Sequence, residues 1–85
     1  MLTVLLALFV RVDGMLMQLT DGPCRHPAIM QRVSGDARFT GGIVYLGKRE
    51  IAMCWTRSGD HLLIVDEDGD TGAIPMRELR VSNGV

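Results

Sequence analysis

Residues 42–46 (GIVYL), 50–56 (EIAMCWT), 61–65 (HLLIV) and 71–74 (TGAI) are short runs rich in β-branched, aromatic and other large apolar side chains. Gly47-Lys48, Arg57-Ser58-Gly59-Asp60 and Glu67-Asp68-Gly69-Asp70 separate them, and each of these separators contains the glycine that a tight reversal uses. Runs of this length between turn signals predict four antiparallel strands in a meander. Side chains alternate along a strand, so Ile51, Met53 and Trp55 share one face, predicted to point inward, and Ala52, Cys54 and Thr56 share the other.

Upstream, residues 3–12 lack Gly and Pro and run straight into Asp13-Gly14, a hairpin signal. A second strand over 15–19 follows, and Thr20-Asp21-Gly22-Pro23 is read as a reversal. A helix over 2–12 is the alternative, because Leu and Ala are good helix formers. In the looser segment 24–40, Pro27 opens one short helical turn through Ala28, Ile29, Met30 and Gln31, and Ser34-Gly35-Asp36 ends it.

The tail, 73–81 (AIPMRELRV), places a proline after a strand, then a one-turn segment, then a short strand with Leu79 and Val81. The stretch 61–81, HLLIVDEDGDTGAIPMRELRV, resembles in layout the end of an SH3-like or Sm-like small barrel. In that superfold a turn of 3₁₀ helix commonly separates the last two strands. The resemblance covers about the last 40 residues and implies a fold without a function. The expected architecture is one mostly β domain over residues 1–85, a small SH3-like barrel of five to six antiparallel strands with an N-terminal hairpin and one short helical turn.

The chain has 85 residues, enough for one core, and 47% of them are hydrophobic. With two Phe, one Tyr and one Trp against six Met, that core is aliphatic. A net charge of −1 gives no general grip on phosphate backbones. Two cysteines, Cys24 and Cys54, are too few for a stapled scaffold and are read as thiols, a single bridge being the alternative that their separation decides. The opening MLTVLLALFV has no basic residue before it and no A-x-A-like site before Arg11 and Asp13, which argues against a cleaved signal. It is also far shorter than the ~20 residues of a spanning helix. The expectation is a cytoplasmic protein with no membrane association.

Four motifs bear on chemistry. Gly42-x-x-x-x-Gly47-Lys48 approaches a phosphate-binding loop, but Arg49 replaces the required Ser or Thr and strand-forming residues fill the interval. Asp66, Asp68 and Asp70 alternate as in a calcium loop, yet Thr71 and Arg77 stand where Gly and Glu are needed, leaving an acidic hairpin tip with Gly69 at positive φ. Cys24, His26, Cys54 and His61 number four soft ligands at a spacing that fits no zinc module, so no metal or cofactor is assigned. Cys24 as a nucleophile would need His26 or His61 as base, but no orienting third group accompanies them.

What remains is binding. Tyr45, Lys48, Arg49, Arg57 and Arg38 supply an aromatic and basic set suited to single-stranded nucleic acid. Leu2, Val4, Leu6, Leu8 and Val10 belong to a run that is apolar on both faces of a strand and therefore needs cover, which predicts a homodimer interface. The leading expectation is a binding or regulatory module acting through a protein partner, by analogy an adaptor or inhibitor from a mobile element. Single-stranded nucleic-acid binding is the second reading and a small Cys24-dependent enzyme the third.

Overall fold

The computed structural model describes residues 7–34 and 38–82. Seven strands, β1 (Ala7–Val12), β2 (Met15–Pro23), β3 (Thr40–Leu46), β4 (Arg49–Ser58), β5 (His61–Asp66), β6 (Thr71–Pro75) and β7 (Arg80–Ser82), form one antiparallel sheet in the order β6-β5-β4-β3-β2-β1-β7. A short helix α1 (Pro27–Arg32) joins β2 to β3, and a 3₁₀ turn (Met76–Glu78) joins β6 to β7. Among the described residues no helix is long and apolar enough to cross a membrane.

The connectivity shows why the sheet curls. β6 and β7 are its two edges, which in a flat sheet would lie about 29 Å apart at ~4.8 Å per strand spacing. The link from Pro75 to Arg80 reaches only about 17 Å when fully extended. The sheet must therefore wind round, and it does so as a half-barrel.

The hairpins form where the turn residues put them. Asp13 (φ 50°) and Gly14 (φ 77°) make the two-residue connection, with Val12 opposite Met15. Gly47, Gly59 and Gly69 take positive φ in the next three turns. The strand count is seven rather than five to six, because the N-terminal hairpin is not an appendage: β2 pairs with β3, and β1 pairs with β7. The reversal expected at 20–23 is also corrected. β2 runs on to Pro23, and its register against β3 slips between Leu19 and Pro23. The Trp55 indole Nε1–H donates to Thr20 O at 3.1 Å and to Gly41 O at 2.9 Å, and Thr20 Oγ1 donates to Gly41 O at 2.8 Å. These bonds occupy carbonyls that a regular ladder would have paired.

The concave side holds Val10, Val12, Met17, Leu19, Val44, Ile51, Met53, Leu62 and Ile64. Ile51 and Met53 point inward as their alternation predicts, and Trp55 packs against this cluster half-buried. On the convex side α1 lays Ile29 on Cys54 and Val65, with Phe39, Val33 and Ala52 around them. β4 is thus buried on both faces at its centre, where Cys54 is 1% exposed.

Candidate functional site

A half-barrel has two open mouths, and alternation along the strands leaves apolar side chains at each. One mouth is a groove of about 360 Å³ that includes Leu8, Leu19, Trp55, Leu62, Leu79 and Val81, with Arg57 at its rim. Leu8 is 47% exposed and Val81 65% exposed, on adjacent strands. Among the described residues β7 is a sheet edge, and one side of its backbone has no strand partner there. The opposite mouth, about 300 Å³, joins Met15, Leu46, Ile64 and Ile74 to Asp66 and Asp70. The two mouths carry opposite charge at their rims.

The expected binding residues fall in two groups, Tyr45, Lys48 and Arg49 at one end of β3 and β4 and Arg38 and Arg57 toward the other. Tyr45 lies on the convex face of β3, its hydroxyl donating to Gln18 Oε1 at 2.9 Å, with Lys48 in the adjacent turn and Arg49 at the start of β4. Arg57 is eight residues along β4 from Arg49, about 26 Å at ~3.3 Å per residue, and its Nε–H donates to Gly59 O at 3.0 Å. Arg38 precedes β3 at the end where Thr40 pairs with Trp55, nearer Arg57 than Arg49. Of the expected interface residues, Leu2, Val4 and Leu6 lie outside the described residues. Leu8 lines the groove beside Trp55, whereas Val10 is 1% exposed in the concave cluster.

Cys24 and Cys54 form a disulfide, their Cα atoms 5.7 Å apart, which corrects the reading of both as thiols. The strand run-on to Pro23 carries Cys24 back over β4, a juxtaposition that a reversal at 20–23 would not produce. The bridged sulfurs offer zinc no thiolate, and Cys24 has no thiolate with which to attack. The two histidines also sit apart in their contacts. His61 opens β5 with Nδ1 3.1 Å from Asp60 Oδ1. His26 stands at the N-cap position of α1 with Nε2 3.6 Å from Glu67 Oε2, while its Nδ1 is buried without a hydrogen-bond partner among the described residues.

The acidic tip is a structured turn. Asp66 Oδ1 accepts from the backbone N–H of Asp68 and Asp70, each at 2.9 Å, and Gly69 takes φ 89°. Glu67 reaches back across β4: its N–H donates to Ala52 O and its Oε1 accepts from Ala52 N–H, both at 3.0 Å. Arg32 from α1 lays its guanidinium over Gly69.

A third groove was not anticipated. Of about 540 Å³, it is bounded by Arg11 and Asp13 from the first hairpin, by Arg77 and Glu78 from the 3₁₀ turn, and by Arg80 from β7. Its only local signals in the sequence are the arginines of the tail, since the register that joins β7 to β1 connects the two ends of the chain. No protein-family model, curated protein or solved structure matches this chain, so a functional reading rests on these surfaces.

Proposed function

We propose that the domain is a binding module of the small SH3-like barrel kind, with a regulatory or adaptor role, that works by seating a protein against the mouth around Trp55. The observation that carries this reading is the apolar groove lined by Leu8, Leu62, Leu79 and Val81, open beside the edge of β7, which no strand pairs among the described residues. Apolar surface of this kind gains about 25 cal/mol per Å² when covered, and a free strand edge supplies backbone donors and acceptors to fix the orientation of what covers it. A second copy of the chain meets both needs through a two-fold interface, which supports a homodimer. The disulfide favours a compartment that keeps cysteines oxidised over the reducing cytoplasm first expected.

Light scattering on the eluting protein, over a hundredfold range of concentration, tests this together with the double variant Leu8→Glu, Val81→Glu. The expected result is a dimer mass for the parent and a monomer mass for the variant, both folded by circular dichroism. A monomer at every concentration that also retains no 1:1 or 2:2 partner on an affinity column would overturn the reading.

A further inference from the structure

The register between the first and last strands places Arg11 directly opposite Arg80. Their neighbours in that ladder, Val10 and Val81, turn to the concave side, so the two arginines share the convex face. Directly opposed side chains on antiparallel strands have Cβ atoms about 5 Å apart, a spacing at which like charges repel. Arg77 joins them from the 3₁₀ turn at the same groove of about 540 Å³. All three are exposed, and no described carboxylate lies within ion-pair distance of any of them. A guanidinium is a planar fork of donors whose geometry matches phosphate oxygens, and three forks around one cleft match a dianion better than a single negative charge.

We propose that this groove binds a small phosphomonoester, with Arg11, Arg77 and Arg80 on the phosphate and with Asp13 and Glu78 accepting from hydroxyl groups on the rest of the molecule. The two carboxylates select between sources of phosphate. They repel the successive charges of a nucleic-acid backbone, whereas a compact ester presents one dianion to the arginines and a neutral, hydrogen-bonding body to the acids. The groove's volume exceeds what a bare phosphate ion fills. Arg80 lies between Leu79 and Val81 of the apolar mouth, but alternation along the strand puts its side chain on the other face, and the titration does not depend on that reading.

The test is a titration of ¹⁵N-labelled protein at constant ionic strength with inorganic phosphate, with glucose 6-phosphate and with a twelve-nucleotide single-stranded DNA, following the arginine Nε–H signals. Saturable shifts of Arg11, Arg77 and Arg80, tighter for the sugar phosphate than for inorganic phosphate, are expected. Arg11→Gln and Arg80→Gln each weaken binding roughly tenfold or more by removing a charge-assisted bond. Because each also removes a like-charge contact, neither lowers the melting temperature of the unliganded protein. Arg25→Gln, beside the disulfide, leaves the titration unchanged. The absence of saturation by either phosphate, or binding unaltered in Arg11→Gln and Arg80→Gln, overturns the site. Tighter binding of the oligonucleotide, with affinity falling steeply as salt rises, overturns the phosphomonoester in favour of a polymer backbone.

Discussion

The concave and convex sides of the same sheet are closed by different means. Inside the curl, nine buried side chains from five consecutive strands meet one another. Under α1, Ile29, Cys54 and Val65 are the buried members of the cluster among the described residues. At about 1.5–3 kcal/mol for each fully buried apolar side chain, three contribute roughly 5–9 kcal/mol. Fixing the backbone of a six-residue helix costs roughly 6–12 kcal/mol. The two figures are of similar size, so apolar burial leaves α1 little margin, and the Cys24–Cys54 bond and the polar latch of Glu67 and Arg32 add to its hold. A fold can economise on core where it spends a covalent bond.

The first way to break this contrast is to damage the concave side. Leu62→Ala should cost about 4 kcal/mol, because Leu62 is 1% exposed amid neighbours from other strands that cannot collapse into the space. Urea unfolding followed by circular dichroism and by Trp55 fluorescence should give one shared, lowered midpoint, since the strands that carry the convex patch are the same strands. Removing the bond with Cys24→Ala and Cys54→Ala should cost about 3.5 kcal/mol on the chain-entropy account of a loop with a sequence separation of 30. Here hydrogen exchange should accelerate first in α1 while the amides of β2 and β3 stay protected. Uniform acceleration would mean that the two sides are one cooperative unit and that the contrast drawn above is false.

That contrast also marks what the sequence could reveal. Local features were legible: Asp13-Gly14, Gly47 and Gly59 announce their turns, Pro27 opens the helix, and the alternation Ile51, Met53, Trp55 picks out the concave face. The misses all depend on partners far along the chain. Thr20-Asp21-Gly22-Pro23 has the composition of a reversal, and it stays in the strand in company with an indole 35 residues away that bonds Thr20 O. Cys24 and Cys54 are brought together by that same run-on, which neither their number nor their spacing in the chain announces. Nor does any local pattern show that Arg11 faces Arg80, or that residues spread from 38 to 57 lie toward opposite ends of their strands. The candidate site was less legible than the fold, because a site is a set of registers and each register is a long-range fact.

Two smaller substitutions test the sides separately. Gly42→Ala should cost about 2 kcal/mol: the added Cβ would lie 2.7 Å from Gln18 O and 2.9 Å from Met53 Cε, and the backbone oxygen belongs to the adjoining strand β2. Thermal unfolding checks it. On the convex side, Gly69→Ala forces an alanine to φ 89° and pushes the Arg32 guanidinium aside. The strain should cost about 1–2 kcal/mol, and because a long side chain can swing away the loss should stay near the lower figure.

The smallest effects separate the parts of the latch. Glu67 makes two contacts through different oxygens: Oε1 accepts from Ala52 N–H at 3.0 Å, and Oε2 lies 3.6 Å from His26 Nε2. Glu67→Gln keeps an acceptor for Ala52 and removes the charge, and with both partners about one-third exposed the expected loss is under about 0.5 kcal/mol. Glu67→Ala removes the acceptor as well and leaves a half-buried N–H in the middle of β4 unmet, for about 1 kcal/mol. The order Gln milder than Ala is the result that counts, measured as the difference in urea midpoint between the two variants at neutral pH. It would assign the latch to a hydrogen bond rather than an ion pair, whereas equal losses would assign it to the charge beside His26. In the first case the convex side is held by the hydrogen bond from Ala52 N–H, and its closure does not rest on the contact between Glu67 and His26.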